Sequence, residues 1–298
     1  MSSGLLILIP TFPWENPNLD ALLPALRASG IEPLLAATDS LRLADTQVCA
    51  ADQHGSFHAV TDYALVWVLG FGSRNNFLDK LQLLKLAAER VLFVNSPDAL
   101  VYLHAKYHLT NYRGALRHPQ TYASHDARWL YEKLRDGGDW IAKPPAASFG
   151  RGVFKLTDQD PNAHAILDQL TDYGRGAYCL LQRYLPEIAQ GEKRVLIAGG
   201  QIIGAYRREP SANGITNLAA GARAVRCELN DHERLGCAEL ARELAAGGVN
   251  YAGIDLVYPW LIEINVANPG GLATLVELGD THAPTRLAAR LGESLRAR

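Results

Sequence analysis

Over residues 1–95 the apolar positions fall in short continuous runs: GLLILI at Gly4–Ile9, IEPLLAA at Ile31–Ala37, YALVWVL at Tyr63–Leu69 and RVLFVN at Arg90–Asn95. Between them, residues 18–29 and 75–90 repeat with helical spacing, and Gly30 stands where the first helix should stop. Strands that are apolar on both faces and alternate with helices predict a parallel sheet covered on both sides, hence an α/β fold. In such sheets ligands sit beyond the carboxyl ends of the strands. The loops TFPWENPN (Thr11–Asn18) and GFGSRNN (Gly70–Asn76) fall there, either as ligand loops or as plain connections.

Beyond Asn95 the texture changes. In NSPDALVYLHAKYHLTNY, Ser96 is an N-cap and Pro97 the first helical residue, and the expected helix runs far enough to hold Lys106 in its last turns. The segment DWIAKPPAASFGRGVFKL reads as a strand ending at Lys143, a loop of small residues, and a return strand starting near Gly152. Such a hairpin can fold over an anion, with Lys143 as a fixed cation and Ser148, Gly150 and Gly152 offering unobstructed backbone N–H groups. A helix over 163–171 follows, then a strand with Gln182 and Arg183, and then RVLIA and IIGAYRR joined tightly by Gly199-Gly200. Asn230 or Asp231 caps a helix to Ala246 that Gly247-Gly248 ends, and an amphipathic helix over 282–296 closes the chain.

The pattern of most chemical interest is Gly253–Gly271, GIDLVYPWLIEINVANPGG, where apolar and polar residues alternate with period two. Ile254, Leu256, Ile262, Ile264 and Val266 share one face; Asp255, Glu263 and Asn265 share the other. A reversal at Pro259 sets Asp255 across from Glu263, with Asn265 two residues along. Two carboxylates and an amide oxygen, without Cys or His, suit Mg2+ shared with phosphates; a solvated polar face gives the same alternation. The tail NVANPGG delivers its last polar groups to a loop, which favours the site reading.

Composition narrows the classes of function. The chain has 298 residues, 29 basic and 31 acidic, for a net charge of -2, so no global field points to nucleic acid or an anionic membrane. Cys49, Cys179, Cys227 and Cys237 form no CxxC pair, which argues against a zinc site or disulfide framework and suits a reducing cytoplasm. No apolar stretch is long enough to span a membrane, and neither GxGxxG nor GxxxxGK[ST] occurs.

GIDLV followed by EINVANPGG resembles the metal hairpin of the ATP-grasp ligases, in particular the prokaryotic glutathione synthetases. GEKRVLI and NLAAGA are close to that family's forms, whereas KPPAASFG departs from its usual KPxDGxGG, and Ile215 and Thr216 stand where an Arg is normal. The resemblance implies a pre-ATP-grasp domain over 1–95 and a two-subdomain ATP-grasp domain over 96–298, with a lid at about 110–178. It implies ATP with Mg2+, or Mn2+ in its place, and small-molecule carboxylate and amine substrates joined through an acyl phosphate. By the same resemblance Lys106, Lys143 and the Ser148, Gly150, Gly152 loop hold ATP phosphates, and Gln182, Arg183, Tyr184 and Leu185 cradle adenine. Asn217 joins the metal and phosphate group, Asp255, Glu263 and Asn265 bind metal, Arg194 faces the transferred phosphoryl group, and Arg208 grips a substrate carboxylate. The expected reaction is that of glutathione synthetase, γ-glutamylcysteine plus glycine, in a homo-oligomeric cytoplasmic enzyme. Ligation of other amino acids or peptides, as in the ribosomal-protein glutamate ligases, and a silent nucleotide-binding protein are the alternatives.

Overall fold

A computed structural model describes residues 4–145, 152–212 and 216–296. The N-terminal runs become β1 (Leu5–Ile9), α1 (Pro17–Ala28) and β2 (Leu34–Ala37), with β6 (Leu65–Val68), α2 (Phe77–Ala87) and β7 (Leu92–Val94) after an insertion. The strands β2-β1-β6-β7 are parallel throughout, as their continuous burial requires. The insertion is a small antiparallel sheet of β3 (Arg42–Ala44), β4 (Gln47–Ala51) and β5 (Phe57–Ala59). No periodicity announced it, because its strands are too short to show one.

A second sheet, β10-β9-β11-β8, is built from β8 (Thr121–Ser124), β9 (Trp140–Lys143), β10 (Phe154–Leu156) and β11 (Cys179–Arg183). Helices α4 (Ala127–Leu134) and α5 (Ala163–Leu170) pack on it around Leu130, Leu134, Trp140 and Leu167, a core of its own. The expected Lys143 hairpin is present, since β9 and β10 pair antiparallel from Trp140↔Leu156 to Ala142↔Phe154. Ser148 and Gly150 of its loop lie outside the described residues.

The third sheet is the frame of the site. Its order is β14-β13-β12-β15-β16, from β12 (Glu192–Ala198), β13 (Gln201–Glu209), β14 (Arg223–Arg226), β15 (Tyr251–Val257) and β16 (Trp260–Asn265). One face rests on α6 (Asp231–Ala246), whose N-terminus carries a capping box between Asn230 and Glu233. The other meets α7 (Leu272–Glu277) and α8 (Ala283–Arg296) together with α1 of the first layer. The two apolar clusters flanking this sheet both continue into the parallel sheet, so the first and third sheets share their cores.

Asn95 stitches them. This buried side chain donates to the carbonyls of Tyr251 and Val266 at 2.6 and 2.7 Å and accepts from the N–H groups of Asn250 and Tyr251 at 2.6 and 2.8 Å. Every hydrogen-bonding position of the amide is used, which fixes β15 and the end of β16 against the first sheet.

One boundary differs from expectation. Helix α3 is Pro97–Tyr102, shorter than the pattern suggested, and Lys106 instead opens a separate 3-10 helix, Lys106–Asn111. Tertiary contacts decide this: the Lys106 N–H bonds to Pro145 O at 3.3 Å and its ammonium reaches β16. Among the described residues, no helix is long and apolar enough to cross a membrane.

Candidate active site

Strand pairing assembles a charged cluster on one face of the third sheet. Arg194 on β12 is directly opposite Asp255 on β15, Glu192 is opposite Arg208 on β13, and Asp255 is opposite Glu263 on β16, the pairing expected from the alternation. A bulge beside Asp255 leaves Ile262 unpaired and only partly buried, while Leu261, Ile264 and Val266 stay in the core. The chain reverses at Tyr258-Pro259, as foreseen.

The cluster is tightly bonded. Arg194 grips Asp255 with a two-pronged guanidinium fork, Nε to Oδ1 at 2.6 Å and Nη2 to Oδ2 at 3.0 Å. Arg208 Nη2 donates to Asp255 Oδ1 and to Glu192 Oε1, the latter at 2.5 Å. Asn265 donates its amide to Asp255 Oδ2 at 3.1 Å, which leaves its oxygen as the acceptor end. Lys106 pairs with Glu263 Oε1 at 3.1 Å. Lys143 sits at the end of β9, and its ammonium donates to Gln182 Oε1 at 2.8 Å while Gln182 donates to Thr121 Oγ1 at 3.1 Å. Lys106, Lys143, Arg194 and Arg208 thus face Glu192, Asp255 and Glu263, with one more cation than carboxylate.

Burial and charge pull the titrations apart. Burial raises the Asp255 carboxyl, but Arg194 and Arg208 outweigh it and hold the group below its usual range. Burial wins at Glu192, whose carboxyl is pushed up although Arg208 opposes it. The Lys143 ammonium is lowered to about 8 by burial, only partly offset by the carboxylates nearby. Among the described residues Arg208 Nε is buried without a hydrogen-bond partner, the kind of orphan donor that an anionic ligand satisfies.

The remaining expected residues lie around this cluster. Gln182 is buried, with its side chain committed to Lys143 and Thr121. The Arg183 guanidinium turns the other way, 4.0 Å over the Trp140 ring and onto Gly137 O at 2.7 Å. The N–H groups of Arg183 and Tyr184 bond to Gln120 O and Asp139 O, and Leu185 caps the 3-10 helix Pro186–Gln190. Asn217 caps a short 3-10 turn by accepting from Ala219 N at 2.8 Å, next to Thr216, which hydrogen-bonds Glu192. Gly152, at φ 69°, packs on Pro144 at the base of the hairpin loop, and Ile215 lies outside the described residues.

Sequence reasoning missed Glu192, Asn95 and Asn18. The Asn18 side chain accepts from the N–H groups of Gly271 at 3.0 Å and Ala273 at 3.1 Å, fixing the NPGG tail to the first loop of the parallel sheet. For Glu192 the available signal was a carboxylate two residues before Arg194, on the same strand face.

As a magnesium site the donors form a partial cage. Among the described residues no three His, Cys, Asp or Glu side chains converge as a metal cage. Two carboxylates and one amide oxygen on adjacent strands suit an ion that takes its remaining ligands from phosphates and water. The residues fit Mg2+ in that sense, provided the arginines on Asp255 give way.

Comparison with known proteins agrees with the geometry. A family profile described as the prokaryotic glutathione synthetase ATP-grasp domain matches residues 107–280. The chain belongs to that family. The glutathione synthetase of Neisseria meningitidis serogroup A is 36% identical over 205 residues, 67% of this chain and 63% of that protein. That of Pseudomonas aeruginosa is 33% identical over 228 residues, 75% of this chain and 71% of that protein. The chain therefore spans somewhat under two thirds of the Neisseria relative. Among solved structures, D-cycloserine synthetase DcsG has a TM-score of 0.72 at 14% identity, covering 98% of this chain and 100% of that one. A Chryseobacterium gregarium RiPP-associated ATP-grasp ligase gives 0.68 at 16% identity, covering 100% and 97%. At such identities these two establish the fold, which is ATP-grasp.

Proposed function

We propose that this protein is an ATP-dependent carboxylate-amine ligase of the glutathione synthetase kind, joining the cysteinyl carboxylate of γ-glutamylcysteine to the amine of glycine. The observation that carries the reading is the cation-rich cluster of Lys106, Lys143, Arg194 and Arg208 around Asp255 and Glu263. Names of relatives that align over most of the chain support the substrate assignment. The proposed division is a pre-ATP-grasp α/β domain over 1–95 and an ATP-grasp domain over 96–298, with a lid subdomain at about 110–178.

The chemical difficulty is bringing a carboxylate to a triphosphate that is already negative. In the proposed reaction a carboxylate oxygen attacks the γ-phosphorus and ADP leaves. The glycine amine then attacks the acyl phosphate carbonyl, losing a proton, and phosphate departs with the original carboxylate oxygen. Asp255, Glu263 and Asn265 are the residues that would hold Mg2+, which when bound neutralises phosphate charge. Arg194, Arg208 and Lys106 neutralise these same carboxylates in the free protein and are the cations that would meet the phosphates and the substrate. Lys143, placed by Gln182, meets the nucleotide. Gln182 to Leu185 border the adenine, and Asn217 borders the phosphates with Gly152 and the loop residues Ser148 and Gly150. Arg208, with its orphan Nε donor, binds the reacting carboxylate or the oxyanion formed from it.

ADP release by the purified protein with Mg-ATP, γ-glutamylcysteine and glycine tests the proposal, run beside a panel of amino acids and short peptides. Release that requires both γ-glutamylcysteine and glycine is the expected result. Release with another pair moves the protein to a different ligase specificity, and tight ATP binding with no release for any pair overturns the catalytic reading.

A further inference from the structure

We propose that Asn18 is a specificity-determining residue for the acid substrate: its side-chain N–H donates to the carbonyl oxygen of an amide on the α-nitrogen of the reacting residue. The inference rests on the ligase reading above and deepens it, because such a contact selects an acylated amino acid over a free one.

Asn18 is the second residue of α1, which follows the loop at the carboxyl end of β1, the side of a parallel sheet where ligands bind. Asn16 caps this helix by accepting from the N–H groups of Asn18 and Leu19 at 2.9 and 3.2 Å, so the backbone that carries the side chain is fixed. The far end of the side chain is fixed as well. Its oxygen accepts from Gly271 N and Ala273 N, and two backbone donors can meet only the oxygen, which assigns the other end of the amide as NH2. That NH2 group has no hydrogen-bond partner among the described residues.

Gly270 shows where the free donor can be reached. This glycine is exposed, and among the described residues a Cβ on it would have a single neighbour within 4 Å, the Asn18 side-chain nitrogen at 3.8 Å. The Gly270 carbonyl accepts from Arg194 Nη1 at 3.3 Å. A bare glycine therefore separates the Asn18 donor from a guanidinium of the charged cluster. Beneath Asn18, side chains that include Leu19, Leu22, Trp67, Tyr251 and Leu272 leave an apolar cavity of about 10 Å3, no room for a ligand. The open approach is over Gly270.

In the proposed reaction the cluster meets the carboxylate that is phosphorylated. When the α-nitrogen of that residue is acylated, its amide carbonyl lies one residue from the carboxylate, the same spacing as Asn18 and Arg194 across Gly270. A neutral N–H donor suits a neutral carbonyl, while carboxylates draw the cations. Glycine has no amide carbonyl and neither has ATP, so the contact acts on the acid substrate alone.

The test uses two variants. Asn18→Asp keeps an acceptor for Gly271 and Ala273 but removes the donor, and Asn18→Ala removes both. KM values for γ-glutamylcysteine, glycine and Mg-ATP are compared with those of wild type, with Tm as a check of the fold. Both variants should raise the KM for γ-glutamylcysteine roughly tenfold, the upper end for one hydrogen bond between neutral groups, and leave the other two within about twofold. Asn18→Asp should melt like wild type. A wild-type KM in Asn18→Asp with an impaired Asn18→Ala would mean that Asn18 only tethers the NPGG tail. That result, a parallel rise in the glycine or ATP KM, or no change in either variant overturns the assignment and leaves the ligase reading standing. If wild type accepts only free amino acids as the acid, the role of Asn18 falls and catalysis stands; if it turns over no pair at all, both fall.

Discussion

Two sheets face the proposed site, and they treat charge in opposite ways. On the third sheet each functional charge has a partner of opposite sign: Arg194 and Arg208 on Asp255, Arg208 also on Glu192, and Lys106 on Glu263 from outside the sheet. On the second, Lys143 donates, among the described residues, to the neutral Gln182 oxygen, and burial loosens its proton. The difference separates two ways to prepare for an anion. One surface stores its cations on carboxylates; the other keeps a buried lysine whose charge an incoming anion stabilises.

The sharpest way to break the contrast is at Asp255. Asp255→Asn removes the counterion of two buried arginines, and loss of a buried partner costs about 3–5 kcal/mol. A large drop in Tm together with loss of ADP formation is expected in thermal melts and turnover assays. Unchanged Tm would mean that the two arginines do not depend on Asp255.

Glu263→Gln separates chemistry from stability, since Glu263 is partly exposed and pairs with one lysine. ADP release should fall at least about 100-fold, the scale of losing one electrostatic catalytic contact, with Tm little changed. Normal ADP formation in that variant would remove Glu263 from the metal set.

The second sheet is tested by pH. The free protein binds its Lys143 proton with a pKa near 8, and a bound phosphate raises that value, so nucleotide binding takes up a proton above pH 8. Affinity should be constant below that point and weaken with rising pH above it, approaching tenfold per unit, until the bound-state pKa is reached. Titration calorimetry at pH 7 and 9 in buffers of different ionisation heat reads the proton directly, and Lys143→Met should abolish the uptake. The smallest effect is expected from Thr121→Val, which loses one hydrogen bond to Gln182 and should weaken nucleotide binding by only a few-fold.

Much of this arrangement is written in the chain because strand alternation has period two. The register of Asp255 on Glu263 followed from counting residues across Pro259, and the parallel sheet followed from runs apolar on both faces. Lys106 was misplaced because nothing in LVYLHAK stops a helix; the break comes from Pro145 and Glu263, which are remote in sequence. Asn95 and Glu192 escaped for a related reason. A single polar residue at the end or start of an apolar strand reads as a wet edge until its distant partners, Tyr251 and Val266 or Arg208, are known.

The central claim, that the charged cluster brings a substrate carboxylate onto the γ-phosphoryl group, is tested most directly by isotope transfer. γ-Glutamylcysteine labelled with 18O in its cysteinyl carboxylate is turned over with Mg-ATP and glycine, and the released phosphate is analysed by mass spectrometry. An acyl phosphate route predicts one labelled oxygen in each phosphate formed. Unlabelled phosphate would contradict the account and mean that water, not the carboxylate, attacks ATP at this site.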